Sequence, residues 1–274
     1  LARELLVLPF FSPALARAAE LLARAHLARQ VPDRQLRRKL TPDYALGCKR
    51  VLLADDYYPA LQQPNVEVVT DAVREVRARS IVTADGTERE VDALIFGTGF
   101  HVTDVPMAAR LRGRGGTRLR DVWGESPKAH LGIAVPSFPN LFLMLGPNTA
   151  LGHSSVVFMI EQQIEHALSA LDHLRARGAR TVEARPEALA RFVREVDDRM
   201  RGTVWTAGGC ESWYLDPTGR NSTIWPGFTF HYAWRSRFDP RDYVTEGAAE
   251  RARSTRRANA WTVSATRPGS STCG

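Results

Sequence analysis

The chain has 274 residues, enough for one large domain or two small ones. Hydrophobic residues make up 44% and charged residues 24%, as is typical of a soluble globular protein. The formal net charge is +7, but the basic residues are spread along the chain and accompany no nucleic-acid-binding motif. We therefore expect no nucleic-acid partner. No apolar run reaches the roughly twenty residues that span a bilayer, so we predict no transmembrane segment.

The three cysteines, Cys48, Cys210 and Cys273, form neither a CxxC pair nor a metal-binding spacing. This usage predicts reduced thiols, a cytoplasmic location and no metal site. The chain begins at Leu1 rather than Met, from which we expect that an N-terminal part precedes it.

The first third of the chain predicts a helix followed by short strands. Apolar residues between Leu15 and Arg29 recur at helical spacing. The apolar runs at 51–53 and 66–69 predict short strands. Residues 72–91 alternate in the manner of a β-hairpin, with residues 84–87 as its turn.

Two apolar strands end in turns that lack bulky side chains. Residues 91–96 run into Gly97-Thr98-Gly99, and residues 140–145 run into Gly146-Pro147-Asn148. Such turns let a backbone lie close against a flat, charged cofactor. The Gly-x-Gly-x-x-Gly fingerprint that holds a dinucleotide pyrophosphate does not occur in the sequence. The pattern therefore predicts one part of a cofactor site.

The second half of the chain predicts two longer helices, at 154–177 and 186–200, with a 3.6-residue apolar period. Ser154 or Ser155 caps the first, Gly178 ends it, and Pro186 opens the second. From about Thr245 the chain has little apolar content, which predicts a disordered tail. Alternating strands and helices indicate an α/β domain with its ligand at the carboxyl ends of strands.

Seven motifs follow one another along the chain: Gly47-Cys48-Lys49-Arg50, Asp56-Tyr57-Tyr58, Asn65-Val66, the strand 92–100, Pro139-Asn140-Leu141-Phe142, Gly146-Pro147 and Ser212-Trp213-Tyr214. In this order they resemble the C-terminal half of flavin-containing monooxygenases of the Baeyer–Villiger type, over roughly residues 41–243. The resemblance implies a partial flavoprotein fold with two Rossmann-like dinucleotide-binding domains. Residues 1–45 and 46–91 would then end the NADPH domain, with the hairpin as linker. Residues 92–243 would be the C-terminal part of the FAD domain, and 244–274 a disordered tail.

The resemblance also implies an enzyme with FAD and NADPH as cofactors. NADPH reduces the flavin, and a C4a-peroxyflavin then transfers one oxygen atom of O2. The acceptor is a ketone, which becomes an ester or lactone, or a soft nitrogen or sulfur atom. The expected partners are thus O2 and a small-molecule substrate.

The resemblance carries over to individual residues. Arg50 matches the arginine that the family places over the flavin, and its permanent charge suits it to stabilise an oxyanion. Lys49 matches a residue associated with the NADPH phosphate, and Trp213 an aromatic residue near the nicotinamide. The remaining matches are Asp92, Thr98 and Gly99 in a segment that contacts FAD, and Gly146, Pro147, His153 and Ser154 near the flavin ring.

Simpler interpretations stay open for each residue. Arg50 is also compatible with a surface arginine, Gly99 with a tight turn alone, His153 with a helix entry without chemistry, and Trp213 with the core. Residues 219–226 replace a shorter segment of the ketone-oxidising members, which leaves the substrate class open. The alternative functions are a non-catalytic truncated remnant, unable to hold FAD alone, and a flavin reductase or oxidase, against which Arg50 argues.

Overall fold

The computed structural model describes residues 2–5, 7–99, 102, 105–209 and 212–248. The longer helices of this part are α2, α6 and α7, and the strands form two small antiparallel sheets. The helices are α1 (Ala2–Leu5), α2 (Pro13–Gln30), α3 (Arg34–Leu40), α4 (Tyr57–Leu61), α5 (Leu119–Trp123), α6 (Val156–Arg177), α7 (Pro186–Met200), α8 (Val204–Ala207) and α9 (Thr229–Arg235). The strands are β1 (Val73–Val76), β2 (Ser80–Thr83), β3 (Glu88–Glu90), β4 (Ala179–Ala184) and β5 (Tyr243–Ala248).

The three helices predicted from apolar periodicity are confirmed as α2, α6 and α7. The Ser155 hydroxyl accepts a hydrogen bond from the backbone N–H of Phe158 at the start of α6. Gly178 ends α6 in the left-handed conformation, with φ of 60°. The buried face of α7 repeats every four residues from Ala188 to Met200, so its amphipathic pattern decides which side packs inward.

The predicted hairpin is part of a three-stranded sheet in the order β1-β2-β3. Its predicted turn at 84–87 joins β2 to β3, and the Asp85 carboxylate accepts hydrogen bonds from Thr83 and Thr87 there. The tail predicted for 244–274 begins too early, because Val244 to Ala248 belong to β5. There Thr181 pairs with Glu246 and Glu183 with Val244. The backbone pairing with β4 orders residues 244–248, although their composition alone does not indicate a strand. Residues 249–274 lie outside the described residues.

The segments predicted as strands at 51–53, 66–69, 91–96 and 140–145 contain no strand in the structure and join neither sheet of the described part. Several of their apolar side chains face solvent: Leu53 is 90%, Ile95 96% and Phe96 76% exposed. Asn140 and Leu145, at the two ends of the last segment, have left-handed φ angles of 59° and 54°. A strand needs a continuous ladder of backbone hydrogen bonds with a neighbour, and the structure gives these segments only single bonds, such as that from the Leu143 N–H to the Ile133 carbonyl.

Two packed clusters position the region around Gly146. One contains Phe10, Cys48, Trp205, Tyr214 and Ile224, and so joins the N-terminal segment to later loops. The other, beneath the start of α6, consists of Leu131, Ile133, Leu151, Met159, Phe192, Val196, Trp225 and Tyr232. Cys48 takes part in a disulfide, so the expectation of reduced thiols is wrong at this residue. None of the helices described is long and apolar enough to cross a membrane.

Candidate functional site

The turn after residue 145 is built around a contact between two glycines. A Cβ atom on Gly146 would overlap the carbonyl oxygen of Gly132, and one on Gly132 would overlap the Thr149 side chain. Leu145 and Asn148, on either side of Gly146-Pro147, adopt left-handed φ angles of 54° and 60°. Such angles are uncommon for residues with a side chain, so the surrounding contacts must hold the turn in place.

A buried amide supports this turn from α6. The backbone N–H of Leu145 donates to Oε1 of Gln163 at 2.8 Å, and Nε2 of Gln163 donates to the Tyr232 hydroxyl at 3.0 Å. That hydroxyl donates to the carbonyl of Leu131 at 2.7 Å. Gln163 is fully buried, and each of its polar groups is paired, as burial requires.

Asn148 connects the turn to the segment 219–226. Its backbone N–H donates to the carbonyl of Ser222 at 2.8 Å, and its Nδ2 donates to the carbonyls of Asn221 and Ile224. The Arg220 guanidinium donates to Oδ1 of Asn148 at 2.8 Å. The segment that departs from the ketone-oxidising members therefore holds the Gly146 turn directly.

Arg50 reaches the same region from a distant part of the sequence. Its Nη1 donates to the carbonyl of Leu151 at 3.0 Å, across 101 residues of chain. Burial raises the pKa of the Tyr214 hydroxyl, and the charge of Arg50 opposes that rise, so the guanidinium also lies near Tyr214. Arg50 and the Gly146–Ser155 turn are thus brought together.

An apolar cleft of about 270 Å³ opens beside the turn. Its residues are mostly hydrophobic, with two hydroxyl side chains from the 219–226 segment: Val102, Val105, Met107, Trp123, Pro127, Leu143, Met144, Leu145, Gly146, Pro147, Ala150, Trp213, Ser222 and Thr223. Trp213 is 48% exposed at this cleft. A concave apolar surface with few polar groups is typical of small-molecule sites.

The other predicted site residues lie elsewhere. The Lys49 ammonium lies over the Tyr44 ring, 4.6 Å from its centroid, and lines a separate pocket together with Tyr44 and Arg50. Asp92, Thr98 and Gly99 are exposed on the 91–99 segment, which forms neither helix nor strand. Gly99 has a φ of 90°, and no described atom lies within 4 Å of where its Cβ would be. The described structure does not bring this segment to the cleft.

His153 and Ser154 point into the protein at the start of α6. The His153 side chain is 1% exposed and lies against Glu4 of α1, and the side chain of Ser154 contacts the same carboxylate. Burial lowers the pKa of His153, and the Glu4 charge opposes that effect. The structure therefore places both residues behind the turn.

Sequence reasoning missed the residues that hold the turn: Gly132, Asn148, Gln163 and Arg220. Asn148 directly follows the Gly146-Pro147 motif, and asparagine favours left-handed positions. Its place in the turn could therefore have been predicted from the local sequence. The other three act through contacts far along the sequence, which periodicity does not register. No cluster of three or more metal-ligating side chains occurs in the part of the chain that the structure describes.

Comparison with known proteins identifies relatives over most of the chain. No family model matches it. A Baeyer–Villiger monooxygenase of Streptomyces coelicolor is 47% identical over 219 residues, which cover 80% of this chain and 42% of that protein. One of Pseudomonas aeruginosa is 44% identical over 235 residues, covering 85% and 45%. The chain is homologous to one part of the Baeyer–Villiger monooxygenases.

Solved structures agree with this family. A cyclohexanone monooxygenase from Rhodococcus sp. Phi1 bound to NADP+ superimposes with a TM-score of 0.74 at 30% identity. The superposition covers 86% of this chain and 46% of that one. A steroid monooxygenase bound to NADP gives the same TM-score at 26% identity. The predicted partial flavoprotein fold of mixed α/β type is confirmed, and the chain spans less than half the length of the Baeyer–Villiger monooxygenases it matches.

Proposed function

We propose that this chain forms part of a FAD- and NADPH-dependent monooxygenase. It would insert one oxygen atom of O2, through a C4a-peroxyflavin, into a ketone or add it to a soft nitrogen or sulfur atom. The observation that carries the proposal is the hydrogen bond of Arg50 to the Leu151 carbonyl. This bond holds a permanent positive charge at the turn 146–155, whose residues Gly146, Pro147 and Ala150 line the apolar cleft.

The residues present fit the ring of a flavin better than its pyrophosphate. The cleft offers apolar walls and the half-exposed Trp213 ring for a flat ring system. The glycine fingerprint for a pyrophosphate is missing from the 274 residues. We infer that the relatives' remaining length supplies it.

Bound FAD, reduced by NADPH, would supply the activation of O2. Arg50 would stabilise negative charge that develops at the reacting oxygen, because its guanidinium stays protonated at any working pH and donates several hydrogen bonds. The cleft would exclude water and hold the hydrophobic part of the substrate. Gln163 and Asn148 would keep the turn rigid, which limits the geometries that Arg50 samples.

A chimera tests this role. The chain replaces the matching part of the Pseudomonas aeruginosa relative, and the purified chimera is assayed with NADPH and O2 on cyclohexanone and on methyl phenyl sulfide. We expect lactone or sulfoxide by gas chromatography. Arg50→Ala should lower oxygenation at least about 100-fold, the range found for a single group that stabilises an oxyanion, while flavin reduction by NADPH stays within about threefold.

Arg24→Ala is the matched control. Arg24 has a 52% exposed side chain, pairs with Glu20 and lines the same pocket as Arg50, but it donates to Glu20 rather than to the Leu151 carbonyl. We expect it to leave oxygenation unchanged. Product formation that survives Arg50→Ala would remove this residue from the mechanism.

A non-catalytic remnant is the second candidate. The exposed Leu53, Ile95 and Phe96 favour it, because apolar segments without a partner surface do not form a stable cofactor site by themselves. Titration of the purified chain with FAD, followed by flavin fluorescence, separates the two. Saturable binding would contradict the remnant, whereas an inactive chimera would support it. A cytoplasmic location stays a prediction.

A further inference from the structure

An acidic side chain from α1 meets a buried imidazole behind the Gly146 turn. Nε2 of His153 lies 3.6 Å from Oε2 of Glu4, too long for a hydrogen bond and short enough for a charge contact. The two side chains are 1% and 12% exposed. Both ring nitrogens of His153 are buried and lack a hydrogen-bond partner among the described residues. Unpaired buried nitrogens are destabilising; the Glu4 carboxylate is the charged group that lies against this ring, and the two form an ion pair when the ring is protonated.

The Glu4 carboxylate is held in place by Thr229. The carboxylate accepts hydrogen bonds from the Thr229 backbone N–H at 2.9 Å and from the Thr229 hydroxyl at 2.6 Å. Burial raises the pKa of Glu4, but the hydrogen bonds from Thr229 outweigh that effect and hold the pKa below its ordinary value. The carboxylate is therefore charged at neutral pH, with its position set by the first residue of α9.

The N-terminal segment also touches the Arg50 loop. Gly47 has a φ of 88°, and a Cβ atom on it would overlap the Phe10 ring. Phe10 thus contacts the loop that carries Arg50, and Glu4, six residues earlier, contacts the turn that carries Leu151. These are the two parts of the chain that the hydrogen bond between Arg50 and Leu151 joins.

We propose that Glu4 is a positioning residue for Arg50. Through its contact with His153 it fixes the 151–154 turn, so that the Leu151 carbonyl stays where the Arg50 guanidinium donates to it. The catalytic meaning of this contact rests on the proposed function. The contact itself does not, and it is tested on the chain without flavin.

The primary test is NMR on the purified chain with labelled histidine and arginine, comparing Glu4→Gln with Glu20→Gln. Glu20 is a matched control because it is an N-terminal carboxylate, 24% exposed, that pairs with Arg24 instead. Glu4→Gln should lower the pKa of the His153 ring by about one pH unit, since an opposite charge is lost at close range. It should also speed solvent exchange of the Arg50 Nη protons about tenfold. Glu20→Gln should change neither signal, and the spectrum of His153→Gln assigns the ring.

An unchanged His153 titration, or an Arg50 exchange rate equal to that of Glu20→Gln, overturns the proposal. If Glu4→Gln does not fold, Thr229→Val replaces it, because this change loosens the carboxylate and keeps its charge. The same two signals must then move in the same directions.

A second measurement separates positioning from catalysis. In the chimera, Glu4→Gln should lower the ratio of oxygenated product to NADPH consumed about tenfold and leave KM for NADPH unchanged. A raised KM with an unchanged ratio would contradict positioning of Arg50. An inactive chimera would count against the proposed function, while the NMR result on the chain would stand.

Discussion

Gly146→Ala offers a direct test of the glycine contact beneath the candidate site. The added methyl group would lie closer than 3.0 Å to the carbonyl oxygen of Gly132 and 3.1 Å from Cβ of Leu143. Neither neighbour can move aside without shifting the backbone, because one is a carbonyl oxygen and the other is a Cβ atom. Overpacking of this kind costs about 1–3 kcal/mol, and we place this case near 3 kcal/mol.

Gly152→Ala, in the same turn, is the control. The nearest atoms to its added methyl group are 3.8 Å away in the Trp205 ring, at ordinary contact distance. Its φ is not among the positive values, so alanine removes freedom mainly from the unfolded chain. We expect a change within about 1 kcal/mol.

Thermal unfolding followed by circular dichroism measures both variants. At about 2–4 °C per kcal/mol for a chain of this size, Gly146→Ala should lower Tm by about 6–12 °C, while Gly152→Ala stays within about 4 °C of the parent. Equal melting temperatures for the two variants would refute the reasoning, because only one of them meets backbone.

Three further outcomes are expected. Gln163→Leu removes the acceptor of the Leu145 N–H and one of the two hydrogen bonds of the Tyr232 hydroxyl, and should lower the free energy of unfolding in urea by about 2 kcal/mol. The half-buried neighbour Gln162→Leu should change it by less than about 0.5 kcal/mol. Burial lowers the pKa of His130 to about 4. The unfolded chain therefore binds more protons between about pH 6.5 and 4, and stability should fall by about 3 kcal/mol as the pH falls through that window; an equal loss in His130→Gln would contradict this. Ile95 and Phe96 are exposed apolar side chains, which favour association between molecules. Replacing both by Ser should reduce self-association, measured by sedimentation velocity, without lowering Tm. An unchanged sedimentation profile would show that these two side chains do not mediate association.

The helices could be predicted because their signals are local. In α6 and α7 the apolar period, the cap at Ser155 and the stop at Gly178 lie within one stretch of chain. Among the strands, only those of the hairpin could be predicted in this way, because its turn at 84–87 is also a local signal. The 91–96 run has strand composition, yet it joins neither sheet of the described residues, while the polar β4 and β5 form because they pair with each other.

The candidate site was predictable to a similar extent. Motif order pointed to Arg50 and to the Gly146 turn, and the structure joins them through Leu151. The assignments of Asp92, Thr98 and Gly99 to FAD stay predictions. The role of Gln163 could not be predicted, because a single glutamine in an amphipathic helix shows no pattern that distinguishes it from other polar residues. Only the fold shows that it faces the backbone of Leu145.

The way Asn148 and the 219–226 segment hold the turn has a consequence for enzyme engineering. Asn148 and Arg220 are joined in one hydrogen-bond network, so random variation there would mostly yield chains that do not fold. Trp213 and Thr223 line the cleft beside that network, and the structure gives their side chains no hydrogen bond to the turn. A mutant library aimed at altered substrate preference should therefore vary these two positions and keep Asn148 and Arg220 constant.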